Sequence, residues 1–402
     1  MGLKKRMLLF SLFCMFHVML IAQPNNDQVI SDTLSYNESN SNKVIAFGEF
    51  LSNAIQNREV DSFMVKLNND KFFERVLGGN SDLDRNDSFT KGLLLGMKQA
   101  LNSFPNEIIS EVENGSYYDF ISYRYDEAAQ TYYALFRLYS TESGMNYHDY
   151  RIVNNAGVIQ FSDMYIYLTG EHFTETLGRL MRYTLPEAKI FGLINSPHNS
   201  EFDQLMSAMT YNNNGEYLKA YNLMNNLKSE LSQEKFLLIF KTLIASNIDE
   251  EKYLSSLEEL ITTFPDDPTI GLNKIDYYIY KGKYFEAIQV INQLQNETED
   301  DFLNYVKACV AFEDQNYDLA LNYFKYTIDN YADFFEGQAG YLNTLVMMKN
   351  YPEAVDYLDE LMAAGYEKEL IAEYVEEDDE FGENVLKDFA KSKPYKNWKK
   401  KK

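Results

Sequence analysis

The sequence predicts an α+β domain followed by an all-α solenoid of helical hairpins. Between residues 199 and 365, a tyrosine followed three residues later by a small residue recurs five times, at steps of 36, 31, 33 and 34 residues. A period near 34 residues is typical of stacked helix-turn-helix units. Ahead of this array, residues 43–172 show helical periodicity and then four runs rich in Tyr, Phe, Ile and Val. These runs predict an antiparallel sheet that follows helices.

Residues 1–22 predict a secretory signal peptide. A basic start at residues 4–6 precedes an apolar run over residues 7–21, and Ala22 stands before the polar segment that opens at Gln23. This order is typical of a leader cleaved after its small residue. We therefore expect a periplasmic, secreted or cell-surface protein. An uncleaved anchor is the alternative, whereas Phe13 argues against a lipid anchor on Cys14 because a small residue would be expected there.

Removal of that leader would leave Cys309 as the single cysteine of the mature chain. An intrachain disulfide is then excluded, although an exported location would permit one. We expect Cys309 to behave as a small buried hydrophobic residue. The mature chain has no apolar stretch near 18 residues, so no transmembrane segment is predicted.

The segment at residues 23–42 is rich in Asn, Ser and Asp and predicts a flexible linker. From Lys43 onward, apolar residues recur at steps of three and four, which predicts amphipathic helices. Three helices are expected, near residues 43–55, 72–77 and 87–104, and Pro105 should end the third.

The four strand-like runs are separated by short polar connections that carry turn residues. They span Tyr117–Tyr125, Tyr132–Tyr139, Tyr147–Val153 and Val158–Leu168. Short consecutive connections predict an antiparallel meander. Three helices followed by such a sheet resemble the cone-shaped nuclear-transport-factor-like and cystatin-like α+β domains. This resemblance implies a pocket for a small molecule on the concave face of the sheet.

Six polar residues inside the strands are candidates for such a pocket: Arg124, Arg137, His148, Asp149, Arg151 and Asp163. His148 and Asp149 are adjacent in one strand and should point to opposite faces, so they cannot form a catalytic dyad with each other. The chain also lacks H-E-x-x-H, C-x-x-C, G-x-S-x-G and a glycine-rich phosphate loop. We therefore predict no catalytic, metal-binding or cofactor-binding residue and no enzymatic activity.

In the repeats, each small residue lies one turn into a helix, where it lets two helices approach closely. The small residues are Ala220, Ser256, Ala287, Ala320 and Ala354. A large apolar residue follows each of them by four positions and should fill the same face. These large residues are Met224, Leu260, Ile291, Phe324 and Leu358.

This spacing resembles the tetratricopeptide repeat (TPR) family, although only Gly215 and Gly282 keep the turn glycine. The resemblance implies five hairpins over residues 199–365, whose first helices form a groove for a peptide or a partner protein. Connecting helices are expected over residues 173–198 and capping helices over residues 366–390.

Charge is distributed unevenly along this acidic chain, whose formal net charge is −24. Residues 199–388 hold 38 acidic and 13 basic residues, whereas the last fourteen residues hold seven lysines. The predicted folded part has no basic patch that would attract nucleic acid. A partner protein with a basic segment is one expectation. The basic tail, residues 391–402, is expected to be a solvated end, with binding to an anionic surface or to the acidic repeats as alternatives.

Together these observations predict an exported, non-enzymatic scaffold that binds a peptide or partner protein on the groove. The alternative is an N-terminal cone domain that binds a small ligand or acts as an enzyme, with the repeats as a recruitment module. A third possibility, glycan handling at the cell surface, is disfavoured because the chain lacks the lipid-anchor signal of such lipoproteins.

Overall fold

The fold is seen in a computed structural model, which describes residues 33–78, 88–102, 104–141, 144–184, 200–228, 230–378 and 384–401. The predicted leader lies outside the described residues. The chain divides into two compact units, Met1–Tyr280 and Lys281–Lys402. The predicted boundary between an α+β domain and the repeats stays a prediction.

The first helix begins inside the segment that was expected to be a linker. Helix α1 spans Glu38–Gln56, and its start is capped by Asn37, whose side chain accepts a hydrogen bond from the Asn40 amide at 2.9 Å. Residues 38–42 are therefore helical, which corrects the linker prediction for that part. The polar composition that suggested a linker is that of a capped first turn. Residues 23–32 lie outside the described part of the chain.

Five helices precede the sheet in the described ranges, rather than the three predicted. After α1 they are α2 (Val60–Met64), α3 (Asn69–Gly78), α4 (Ser88–Leu101) and α5 (Phe104–Glu113). Helix α2 has only five residues, too few to show a period. Pro105 lies in the first turn of α5, where proline is tolerated because its missing amide would have no partner there.

The sheet is an antiparallel meander of five strands in sequential order, not four. Its strands are β1 (Tyr117–Asp126), β2 (Thr131–Ser140), β3 (Gly144–Asn155), β4 (Val158–Ile166) and β5 (Glu171–His172). The four long strands confirm the four aromatic runs. Strand β5 was missed because two residues carry no alternation that could be recognised.

Helices and an aromatic core cover one face of the sheet. Helices α1, α3, α5 and α6 (Phe173–Thr184) pack against β1, β2 and β4. Phe63 lies at the centre of this layer, with its ring centroid 5.8 Å from that of Phe161 and 6.2 Å from that of Tyr150. The rings of Phe136 and Tyr150 meet edge to face at 5.2 Å. Large aromatic side chains thus occupy the layer between the sheet and the helices.

The first unit continues into helical hairpins. Its helices are α7 (Ser200–Asn213), α8 (Tyr217–Asn225), α9 (Lys235–Ser246), α10 (Glu250–Thr263) and α11 (Gly271–Tyr280). Helix α7 packs on α8, and α9 packs on α10. Ala220 and Ser256 are buried, as the spacing predicts. Of the connecting helices expected over residues 173–198, the part at residues 185–198 lies outside the described residues.

The end of the sheet contacts the hairpins of this unit directly. Lys235 donates hydrogen bonds to the Gly170 carbonyl at 3.0 Å and to the Thr269 hydroxyl at 2.7 Å. Asn273 donates from Nδ2 to the Leu168 carbonyl at 3.1 Å. Gly170 has φ +62°, and a Cβ there would lie 2.5 Å from the Thr269 carbonyl oxygen. The β4–β5 turn is therefore packed against α9 and α11.

The second unit contains five further helices before its C-terminal end. They are α12 (Tyr284–Thr298), α13 (Leu303–Glu313), α14 (Tyr317–Asn330), α15 (Phe335–Met347) and α16 (Tyr351–Ala363). Ala287, Ala320 and Ala354 are buried, as are the large residues four positions after them. Gly340 allows α15 to approach α14 closely, since a Cβ there would lie 2.2 Å from the Phe324 ring. This packing confirms the predicted phase of the repeat.

The C-terminal residues form three short helices: α17 (Lys368–Glu376), α18 (Lys387–Lys391) and α19 (Lys393–Lys400). Helix α19 packs on α16 and buries Tyr395 and Trp398. Trp398 Nε1 donates to Asp359 Oδ1 at 2.7 Å, and Lys399 pairs with Glu376 at 2.6 Å. The expectation of a solvated basic tail is therefore wrong, because its two aromatic residues share one face of a helix.

None of the helices in the described part of the chain has both the length and the hydrophobicity of a membrane span.

Candidate functional site

Five of the six polar residues singled out in the strands lie on the sheet face opposite the aromatic core. The register aligns Arg124, Tyr133, Arg151 and Asp163 in one row across four strands. Arg124 donates to Asp149 at 2.9 Å, and its guanidinium carbon lies 3.9 Å from the centre of the Tyr133 ring. Arg151 donates to the Tyr133 hydroxyl at 2.5 Å.

A third arginine on this face, Arg137, pairs with Asp119 at 3.0 Å. Asp149 is almost fully buried. A buried carboxylate requires a partner, and Arg124 supplies one. Each arginine of the row thus has a carboxylate or hydroxyl partner, which accounts for these residues as part of the packing of the sheet.

His148 lies on the other face, as the alternation of β3 predicts, and is buried in the aromatic core. Its Nδ1 is 3.3 Å from the Tyr118 hydroxyl, and its Nε2 is 3.3 Å from Asn146 Nδ2. Burial lowers the pKa of His148 to about 3. The imidazole is therefore uncharged at neutral pH and does not supply an acidic proton.

Asp163 and His172 form a pair that sequence reasoning missed, because they lie on different strands. His172 Nδ1 is 3.4 Å from Asp163 Oδ2. The same carboxylate accepts hydrogen bonds from the Thr174 amide at 3.2 Å and the Thr174 hydroxyl at 2.7 Å. Because Thr174 lies in the first turn of α6, Asp163 caps the start of that helix. This capping role gives the pair a structural explanation.

Cys309 is buried on α13, and burial raises the pKa of its thiol to about 12. Its thiolate is therefore scarce at neutral pH, and the prediction that it packs as a hydrophobic residue is confirmed. Within the described ranges, no three of His, Cys, Asp and Glu converge where they could hold a metal ion.

An open cavity of about 250 Å³ lies in the second unit, between α15, α16 and α17. We call it the apolar cleft. Two of its side chains are exposed, Phe335 at 45% and Leu370 at 56%. The lining residues are Phe335, Gln338, Ala339, Leu342, Leu361, Tyr366, Leu370, Ile371 and Tyr374.

Aromatic rings form one wall of the apolar cleft. The Phe335 centroid lies 5.4 Å from that of Tyr374, edge to face, and 6.5 Å from that of Tyr366. The Tyr374 hydroxyl donates to Asn343 at 3.2 Å, which holds this ring in place. Gln338 accepts from the Tyr357 hydroxyl and donates to the Ala332 carbonyl at 2.8 Å. The cleft is therefore apolar at its base because its polar group is already hydrogen bonded.

Sequence reasoning did not find this cleft. Its residues come from the first helix of the last hairpin, the second helix of that hairpin and the following capping helix. Sequence motifs consist of residues that are close in the chain, whereas the cleft is formed by three helices that pack together. A signal was present in Leu370 and Tyr374, two large residues four positions apart on one face of α17.

Comparison with protein-family models gives no match, and comparison with curated proteins gives none either. A solved structure titled "MamA AMB-1 P212121" is similar to part of the chain. The identity is 13%, the TM-score is 0.33, and the match covers 43% of this chain and 96% of that one.

Proposed function

We propose that this protein is an exported scaffold that binds a peptide or a partner protein on its helical hairpins and carries out no chemistry. The helical hairpins, with buried small residues at the repeated position, support a TPR-like array. The apolar cleft is the observation that carries the binding role, because it exposes large apolar side chains on the last hairpin and the helix after it. Exposed apolar clefts of this kind are typical of protein interaction sites.

Site-specific photo-crosslinking in the native host tests this function. The photoreactive residue is placed at Phe335, at Leu370, and at Met347, which lies on α15 outside the apolar cleft. The matched controls are Leu218 on α8 and Phe285 on α12, which are 52% and 71% exposed on second helices. We expect a discrete partner band from the first three positions and none from the controls. Crosslinks from the controls alone, or from no position, would contradict binding on the first helices and the capping helix.

Export is the second part of this proposal and rests on the basic, apolar and small-residue order of residues 1–22.

A further inference from the structure

The size of the apolar cleft limits what it can hold. Its volume is about 250 Å³. Pockets for drug-sized molecules and cofactors are usually larger, about 300–1,000 Å³. The cleft therefore has room for one or two amino-acid side chains.

Two carboxylates, those of Asp333 and Glu336, lie near Tyr366 of the cleft. Burial raises the pKa of Tyr366, and the carboxylates of Asp333 and Glu336 raise it further. Glu336 Oε2 is inaccessible to solvent and accepts no hydrogen bond within the described residues. The neighbouring cation on α17, Lys368, is engaged by the Trp398 carbonyl at 3.0 Å and by its indole ring. Glu336 as a whole is partly exposed, so a cation bound in the cleft would be attracted to its negative charge.

The aromatic wall favours the same chemistry. A guanidinium or ammonium group over the face of a tyrosine or phenylalanine is attracted by the ring quadrupole. Phe335, Tyr366 and Tyr374 offer such faces beside Glu336, and Leu342, Leu361 and Ile371 offer an apolar base.

We infer that the apolar cleft binds a linear segment of a partner protein in which an aliphatic or aromatic side chain stands next to an arginine or lysine. The apolar side chain lies on the base of the cleft between α15 and α17. The neighbouring cation lies over the Phe335 and Tyr374 rings, near the negative charge of Glu336. This inference rests on the proposed scaffold function and specifies the partner of that site.

The test uses phage-displayed random dodecapeptides selected on the full chain, followed by fluorescence anisotropy with the selected peptides. We expect the enriched sequences to share an apolar residue next to Arg or Lys. Leu370→Ala should weaken their binding at least about tenfold, as truncation of a hot-spot residue at the centre of an interface does. Leu218→Ala, at a leucine of nearly equal exposure, should leave it unchanged.

The charge is tested separately with Glu336→Gln, which keeps the size of the side chain. We expect binding to weaken about fivefold and to depend less on salt, because the lost ion pair is one that salt screens. Glu297→Gln on α12, an exposed carboxylate in the same unit, is the control.

Three results would overturn the inference. The first is that the selected peptides bind Leu370→Ala as tightly as the natural chain. The second is that peptides weakened by Leu370→Ala contain no basic residue, and the third is that no peptide is enriched. If crosslinks still form at Met347 in any of these cases, the scaffold function stands and only the assignment of the cleft fails. The absence of crosslinks at Phe335, Met347 and Leu370 together would instead contradict the scaffold function itself.

Discussion

At the scale of single residues, Gly170 lies where the β4–β5 turn meets the hairpins of the first unit. Its positive φ would strain most other residues, and its missing Cβ leaves space for the Thr269 carbonyl. Gly157, in the β3–β4 turn, also has a positive φ, but no atom lies within 4 Å of a Cβ built there. Substitutions at the two glycines therefore distinguish the cost of backbone strain from the cost of a steric clash.

We expect Gly157→Ala to lower the free energy of unfolding by about 1–2 kcal/mol, the cost of a left-handed conformation. Gly170→Ala should lower it by about 1–3 kcal/mol more, because its methyl group would overlap the backbone of Thr269. Urea denaturation of both variants measures the difference. Equal losses would mean that the contact between turn and hairpin relaxes without cost.

A second residue-scale feature is the buried pair of Tyr253 and Asp276, on α10 and α11. The tyrosine hydroxyl donates to the carboxylate at 2.5 Å, and both side chains are almost fully buried. Burial raises the pKa of Asp276 well above its usual value, and the hydrogen bond from Tyr253 only partly opposes this.

The folded state therefore keeps the Asp276 proton at pH values where the unfolded chain has lost it. This pair's contribution to stability is complete below about pH 4 and falls as pH rises towards the folded-state pKa, by at most about 1.4 kcal/mol per pH unit. We expect Asp276→Asn to remove this decline, so that the variant gains stability relative to the natural chain between pH 5 and 8.

Thermal unfolding across that pH range provides the measurement. Tyr253→Phe serves as the comparison, since it removes the donor that favours the charged carboxylate and should keep or steepen the decline. Parallel pH profiles for the natural chain and Asp276→Asn would show that Asp276 is charged in the folded state.

At the scale of elements, helix α19 closes the second unit. Tyr395 and Trp398 stack with ring centroids 5.6 Å apart, and Phe389 of α18 lies 5.3 Å from Tyr395. Lys399 of α19 pairs with Glu376 of α17 at 2.6 Å, and Lys401, directly after the helix, lies 3.8 Å from Asp359 of α16. A charged helix with one aromatic face thus covers the end of the helical stack.

Trp398→Ala should lower the free energy of unfolding of the second unit by about 3–5 kcal/mol, as expected for loss of a buried aromatic side chain. Lys400→Ala, on the exposed side of the same helix, should change it little. Calorimetry of the full chain provides the comparison. An unchanged transition in Trp398→Ala would mean that α19 is not part of the folded unit.

The elements differ in how far the sequence could predict them. The aromatic runs located the long strands to within three residues because their composition and connections agree. The repeated spacing located Ala320 and Ala354 in buried positions because helix pairs need small residues at contacts. Helix α19 was not predicted because its many lysines make its short apolar face hard to recognise in the sequence. Ser392 and Pro394 are nevertheless typical of a helix start.

At the scale of the whole molecule, sequence could indicate an interaction protein but could not locate the cleft. The formal charge of −24 indicates basic partners only in general terms. The position of Glu336 beside an aromatic wall depends on the packing of α15 against α17, and that packing depends on contacts between residues distant in the chain.

Export is the whole-molecule prediction. We expect the native protein to begin at Gln23, because signal peptidases cut after a small residue that follows an apolar run. Intact-mass spectrometry of the protein isolated from its host measures this. A mass that includes residues 1–22 would place the leader in the membrane as an anchor or would contradict export.

The chain contains 32 tyrosines but one tryptophan, and Trp398 lies in the aromatic stack of the last helix. Its indole is shielded from water, so its fluorescence should be blue-shifted in the native protein and red-shifted once α19 detaches. Intrinsic emission at 295 nm excitation therefore reports the state of one end of the second unit without any label. Changes confined to the sheet of the first unit should not alter this emission. The tryptophan fluorescence of the unmodified protein therefore reports on the second unit alone.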